Sequence, residues 1–303
     1  MSVIEVRGIS KSYGRGRRAY PALADVSLSV ARGETLGLIG PNGAGKTTLL
    51  SCLLGFLRPN AGTISIDGKA PDDLSIRARS GYMPERLGFD RELSGRDFLA
   101  HHWRLSRGDP ERTEEEVLAA AARVDLEPAA LHKKLRTYSR GMLQRIGVAQ
   151  ATFGDPSLLF LDEPASGTDP LGVAVVRDRI LDAKKRGATI VLNSHQLAEV
   201  ERVCDRVVFI ERGRIAREEK LRGDGAAARR AILRTDPARA ADAAFALSAD
   251  GFSARAESEG IIRLTGSETD LSRAVRALVL RGDPVFEARS SADLEELFRG
   301  PAA

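Results

Sequence analysis

The segment Gly40-Pro41-Asn42-Gly43-Ala44-Gly45-Lys46-Thr47-Thr48 satisfies G-x-x-x-x-G-K-[ST] at every specified position. An apolar run over residues 35–39 precedes it, and a helical stretch over residues 47–54 follows and meets Gly55. That context makes it a strand–loop–helix phosphate loop rather than an incidental glycine-rich turn. Glycines let the backbone wrap an anion without Cβ clashes, and the amides of residues 43–48 then point inward with the helix N-terminus. Lys46 is expected to reach terminal phosphates and Thr47 to ligate Mg²⁺, with Asn42, Gly43, Ala44, Gly45 and Thr48 forming the rest of the cradle.

A phosphate loop demands an α/β frame, and the rest of the chain is consistent with one. Short apolar runs at 3–7, 35–39, 64–66, 81–83, 158–161, 189–192 and 207–210 alternate with helical stretches, as in a mainly parallel sheet. Runs 158–161 and 189–192 are almost wholly apolar, as strands covered on both faces are. Between Leu93 and Gln150 no strand signal appears, so residues 88–150 are read as an inserted helical subdomain. In it, Thr113 and Glu116 are expected to form a capping box before the helical run 117–124.

At 303 residues the chain has room for about two domains. The first is expected over residues 1–218. Gly223-Asp224-Gly225-Ala226 reads as a linker. Residues 226–303 then run strand 231–234, helix 237–247, strands 253–257 and 261–264, helix 271–280, strand 285–288 and helix 293–298. That is the β-α-β-β-α-β order of a ferredoxin-like α+β unit.

Leu158-Leu159-Phe160-Leu161-Asp162-Glu163-Pro164 is an apolar strand ending in two carboxylates. Beside a phosphate loop the pair has a use: Asp162 can hold Mg²⁺, and Glu163 can orient or deprotonate an attacking water. The plain alternative, an acidic strand end without a ligand, leaves both charges uncompensated.

With these motifs in order, residues 1–218 resemble the ATP-binding-cassette ATPases. Tyr13, in Lys11-Ser12-Tyr13-Gly14, matches the aromatic that stacks on adenine in that family. Tyr138-Ser139-Arg140-Gly141-Met142-Leu143-Gln144-Arg145 stands where the family signature sits, and Ser166-Gly167-Thr168-Asp169-Pro170 resembles the loop that crosses the dimer interface. Asn193-Ser194-His195 matches the switch histidine. The usual LSGGQ is YSRGM here. It keeps Ser139 and Gly141 as contacts for a γ-phosphate, while Arg140 and Met142 replace Gly and Gln. Glu85 stands where the family commonly has glutamine; its carboxylate can still accept from Mg²⁺-bound water and adds negative charge near the γ-phosphate. Both departures resemble cassettes of drug- and antibiotic-resistance exporters.

The resemblance implies ATP and Mg²⁺ as ligands and a head-to-tail dimer, homodimeric or with a related cassette. Lys46, Thr47, Asp162 and Glu163 of one chain would then meet Ser139 and Gly141 of the other. It implies a separate membrane-spanning permease subunit as partner, with the unit at 226–303 regulating or stabilising the dimer or merely capping it. The alternative is a soluble ATPase of the same family acting on nucleic acid or ribosomes. Such proteins usually carry two cassettes, or a coiled-coil or zinc insertion, and this chain has one cassette and neither insertion. An inactive regulatory module is disfavoured by intact Lys46, Asp162, Glu163 and His195.

Composition adds exclusions. A formal charge of +4, scattered, gives no clustered basic face, so no direct nucleic-acid contact is expected. Arg15, Arg17 and Arg18, and the group Lys220, Arg222, Arg229 and Arg230, are read as solvated. Cys52 and Cys204 lie far apart, and His101, His102, His132 and His195 lack ligand spacing, so no disulfide or transition-metal site is expected. Phe98 and Trp103 are assigned to a core and His101, His102 and His132 to structure. No apolar run nears the roughly 20 residues that span a bilayer, and no secretory signal is visible at Met1. The chain is expected in the cytoplasm, peripheral at the inner face of the membrane through its partner.

Overall fold

A computed structural model of the chain describes residues 2–14, 20–88, 90–106, 109–221, 229–257, 260–266 and 268–291. The chain divides into two compact units, Met1–Glu219 and Lys220–Ala303.

The first unit opens with two long strands, β1 (Ser2–Tyr13) and β2 (Tyr20–Ala31), paired antiparallel. Then come β3 (Thr35–Ile39), α1 (Lys46–Leu53), β4 (Ala61–Ile66), α2 (Leu74–Arg77) and β5 (Ser80–Met83). β4 joins the other edge of β1, making a three-stranded antiparallel sheet β2-β1-β4. Helices α3 (Gly95–Leu105), α4 (Thr113–Ala122), α5 (Pro128–Leu131) and α6 (Arg140–Ala151) follow. After them come β6 (Leu158–Asp162), α7 (Pro170–Lys185), β7 (Thr189–Asn193), α8 (Leu197–Val203), β8 (Arg206–Glu211) and β9 (Arg214–Lys220).

The second sheet of this unit runs β5-β6-β7-β3-β8-β9, and the first five strands pair in parallel. Every residue of β3, β6 and β7 is buried, as in strands with both faces covered. α1 packs its Leu49, Leu50 and Leu53 into the same core as Leu36, Phe160, Val191 and Val208, together with Ile4, Val26 and Ile66 of the antiparallel sheet. The phosphate-loop turn is thereby clamped between two sheets.

The structure goes beyond the sequence expectation at β2 and β9. In β2, buried Val26, Leu28 and Val30 alternate with exposed Ser27, Ser29 and Ala31, so no continuous apolar run marks the strand. β9 is an edge strand of charged residues, a composition that suits an edge and hides it from an apolar scan. A mainly parallel sheet is therefore only part of the unit.

Between β5 and β6 the regular elements among the described residues are helical, apart from an isolated bridge from Ser94 to Lys134. Phe98 and Trp103 are buried there, and the Trp103 indole donates to the Asp109 carbonyl at 2.8 Å. The capping box at Thr113 does not form. A 3₁₀ turn, Pro110–Arg112, precedes α4, and Asp109 caps that turn by accepting from the Glu111 amide at 2.9 Å. The Thr113 hydroxyl donates back to the Pro110 carbonyl at 2.7 Å, and Glu116 pairs with Arg112 at 2.7 Å.

The second unit contains β10 (Arg229–Arg234), α9 (Ala240–Ala249), β11 (Ser253–Ala256), β12 (Ile261–Gly266), α10 (Glu268–Leu280) and β13 (Glu287–Ser291). Its strands form one antiparallel sheet in the order β11-β12-β10-β13, with a core of its own around Leu233, Leu247, Ile262 and Leu278. The last strand begins two residues later than expected. The expected helix 293–298, the linker at 223–226, and Arg15, Arg17, Arg18 and Arg222 lie outside the described residues, as do the side chains of Arg229 and Arg230. Cys52 and Cys204 are buried free thiols.

Candidate active site

The turn from β3 into α1 carries the phosphate loop. Gly45 is the N-cap of α1 at φ 109°, and a Cβ there would lie 2.4 Å from the Ala22 carbonyl oxygen of β2. Only glycine allows that approach. No side chain caps α1 and its first turn holds no acid, so its N-terminal amides meet no competing anion from that turn. Lys46 is buried, and its Nζ donates to the carbonyls of Gly40 at 2.7 Å and Pro41 at 3.0 Å. Burial pulls the Lys46 pKa down, while Glu163, Asp162 and Glu85 oppose that shift.

The two carboxylates stand at the end of β6. Asp162 is 1% exposed. It accepts, in a very short bond, from Asn193 Nδ2 on β7, and the Thr47 hydroxyl of the phosphate loop also favours its charged form. Burial raises its pKa, and those two donors hold it partly back. Glu163 begins the turn that follows, at φ 51°, a left-handed conformation costing of order 1 kcal/mol in a non-glycine residue. Its side chain is 12% exposed, and Oε2 lies 2.7 Å from His195 Nδ1 and 3.4 Å from the His195 amide nitrogen. Burial raises its pKa and the histidine opposes that rise. An ionised carboxylate only accepts, so His195 Nδ1 carries the proton in that pair. The outer part of the His195 ring faces solvent, its side chain being 62% exposed.

Glu85 follows β5 and is exposed. Its charge is felt by both Asp162 and Lys46. Thus Lys46, Thr47, Glu85, Asp162, Glu163 and His195 converge on one mouth at the ends of β3, β5, β6 and β7, where open α/β sheets bind ligands. Tyr13 lies at the end of β1, paired in register with Tyr20 of β2. Ser139 and Gly141 are elsewhere: Ser139 caps α6, its Oγ accepting from the Met142 amide at 3.2 Å. Among the described residues, no hydrogen bond or ion pair joins either to the phosphate loop.

A family model described as "ABC transporter" matches residues 23–166. An uncharacterised ABC transporter ATP-binding protein of Synechocystis is 44% identical over 218 residues, covering 71% of this chain and 62% of that protein. The chain thus spans less than two thirds of that relative's length. A fluoroquinolones export ATP-binding protein of Mycobacterium tuberculosis is 37% identical over 218 residues, covering 70% of this chain and 69% of its own. The chain belongs to the ABC transporter family, as an ATP-binding cassette. A solved dimeric bacterial ABC transporter cassette superposes with a TM-score of 0.68 at 25% identity, covering 73% of this chain and 99% of that one.

Three polar residues of this cassette's site escaped the sequence reading. Asn193 supports the Asp162 carboxylate and the Glu163 backbone: its Nδ2 bonds Asp162 and its carbonyl accepts from the Glu163 amide at 2.8 Å, while its buried Oδ1 has no partner. Gln144 of α6 is buried and donates to the carbonyls of Glu163 and Pro164. Tyr20 reaches the phosphate loop, its hydroxyl donating to the Gly43 carbonyl at 3.4 Å. The signal for Asn193 was present, since a polar residue ending an apolar strand parallel to an acidic one lands beside it. Gln144 and Tyr20 give no local signal.

Chemically, the mouth of this cassette pairs cationic and amide groups on one wall with oxygen donors on the other. Thr47, Asp162 and Glu85 form an all-oxygen set suited to a hard divalent ion. Among the described residues no group of three or more His, Cys, Asp or Glu side chains is placed to hold a metal alone. No helix among the described residues is long and apolar enough to cross a membrane.

Proposed function

We propose that this cassette binds and hydrolyses ATP as a subunit of an ABC exporter, driving a separate membrane-spanning permease. The observation that carries the reading is the buried Glu163 carboxylate, gripped by His195 at 2.7 Å beside a buried Asp162 whose charge acts on Lys46 of the phosphate loop. Thr47 and Asp162 would hold magnesium, with Glu85 accepting from its waters, and the ion would supply charge neutralisation on the transferring phosphate. Lys46 brings a buried positive charge to the phosphate oxygens. Tyr13 offers a face for adenine, and the loop from Asn42 to Thr48 offers the amides. Glu163 takes the proton of the attacking water. Its burial makes it a stronger base than an ordinary carboxylate, and His195 Nδ1 fixes its orientation.

Ser139 and Gly141 belong to a second site in this reading. They complete the nucleotide site of another copy or a related cassette, in the manner of the dimeric solved cassette that shares this fold. Residues 1–218 are the nucleotide-binding domain, with the helices in 88–150 as its helical subdomain. The β-α-β-β-α-β order of β10 to β13 and the strand order β11-β12-β10-β13 support reading residues 226–303 as a ferredoxin-like accessory domain. The export direction rests on the fluoroquinolones export relative, and location at the inner face of the membrane follows from a permease partner.

The test is Glu163→Gln. Its expected turnover is about 10²–10³-fold lower, with ATP affinity retained and ATP-dependent dimers accumulating on size-exclusion chromatography. Turnover near that of the unaltered protein would remove Glu163 from the reaction.

A further inference from the structure

Gln144 is 4% exposed, and its Nε2 donates to two consecutive carbonyls, Glu163 at 3.1 Å and Pro164 at 2.8 Å. Those carbonyls belong to the turn in which Glu163 holds its left-handed φ of 51°. Other bonds support the turn from elsewhere: the Glu163 amide donates to the Asn193 carbonyl of β7, and the Ser166 amide donates to the Glu163 carbonyl at 3.1 Å. The bonds from Gln144 come from α6, the helix that begins at Ser139 and Gly141. α6 also touches the turn at its surface. The Arg140 guanidinium lies on Gly167, at φ 70°, so closely that a Cβ there would stand 2.2 Å from Arg140 Cζ. An apolar side chain of the same size would fill the Gln144 site equally well. The amide answers the Pro164 carbonyl and gives the Glu163 carbonyl a second donor beside the Ser166 amide.

We infer that Gln144 is a positioning residue that ties the Glu163 turn to α6, so that a displacement of the Ser139–Gly141 end of α6 moves the Glu163 carboxylate. The inference rests on the reading of Glu163 as proton acceptor and of Ser139 and Gly141 as contacts to a nucleotide held by a second chain. A phosphate arriving at α6 of one chain is then felt by Glu163 of the same chain, which faces the other nucleotide. One buried amide links the two sites of a dimer, and ATP turnover becomes cooperative through it.

Gln144→Met keeps the length and volume and removes the amide; Gln144→Glu keeps the shape and removes the donors. Both are assayed as full-length protein for steady-state MgATP turnover against ATP concentration and for equilibrium ATP binding, with a thermal melt to confirm folding. The expected result is a fall in kcat of about tenfold or more, ATP affinity held within about threefold, and a Hill coefficient moving toward one. An unchanged kcat overturns the inference. So does an equal loss of kcat and affinity, which marks general damage. Glu163→Gln is measured beside them. If it turns over normally, the underlying reading fails; if it is slow while the folded Gln144 variants are normal, this inference alone fails. Should neither Gln144 variant fold, Arg140→Gly at the exposed contact carries the test. Its kcat is expected to fall about threefold or more with affinity retained, and an unchanged kcat overturns the inference.

Discussion

Asn193 is where single residues decide most at this site. It is 2% exposed, donates to the buried Asp162 carboxylate and accepts the Glu163 amide through its carbonyl. A buried carboxylate stripped of a donor carries its full desolvation cost. Asn193→Ala leaves the backbone bond and removes the side-chain bond. It is expected to lower stability by about 1–3 kcal/mol and to raise the Mg²⁺ concentration needed for half-maximal turnover. Denaturant melts and a Mg²⁺ titration check both, and a variant unchanged in the two would show that Asp162 does not depend on this amide. Lys46, Thr47, Asp162 and Glu163 were legible from the sequence because their motifs are local. Tyr20 and Gln144 were not, because their partners lie far along the chain: Gly43 for Tyr20, and Glu163 and Pro164 for Gln144.

Among the elements, α3 shows how a capping signal succeeds where the one before α4 fails. Ser94 caps α3 by accepting from the Asp97 amide at 3.1 Å, and Asp97 accepts the Ser94 hydroxyl at 2.7 Å. At α4 a proline-led 3₁₀ turn occupies the place where the box would close. α3 also carries a titrating group. His102 stacks on Phe98 at 4.5 Å, with His101 at 5.7 Å, and burial followed by repulsion from His101 lowers its pKa to about 4. The folded protein thus keeps His102 neutral in a range where the unfolded chain, at 6.5, binds a proton. Its contribution to stability is complete above pH 6.5 and is lost as pH falls toward 4. The loss is on the order of 1–3 kcal/mol after solvent screening. His102→Gln is expected to flatten the decline of melting temperature across that range. Parallel declines in the two proteins would assign the pH dependence to other groups.

At the scale of the whole molecule, two hydrophobic clusters share no residue. One fills the cassette around Leu36, Leu50 and Phe160, and the other fills the C-terminal unit around Leu233 and Leu278. Separate cores are what independent folding requires. A chain ending after Leu221 is therefore expected to fold and to bind ATP within about threefold of the full-length affinity, as read by nucleotide titration. A truncated chain that is unfolded or fails to bind would show that the cassette needs the second unit.

Local pattern alone determined the phosphate loop, the acidic strand end, the buried parallel strands and the strand and helix order of the C-terminal unit from β10 to β13. Each of these is written in neighbouring residues, through spacing, apolar runs and glycine placement. What the tertiary structure decided is which distant residues meet. It set β2 against β1 through an alternating pattern too weak to read as a run, brought Asn193 at the end of β7 and His195 just beyond it to the two carboxylates at the end of β6, and seated Gln144 under Glu163. Such contacts depend on sheet order and helix packing, which leave no fixed spacing in the chain.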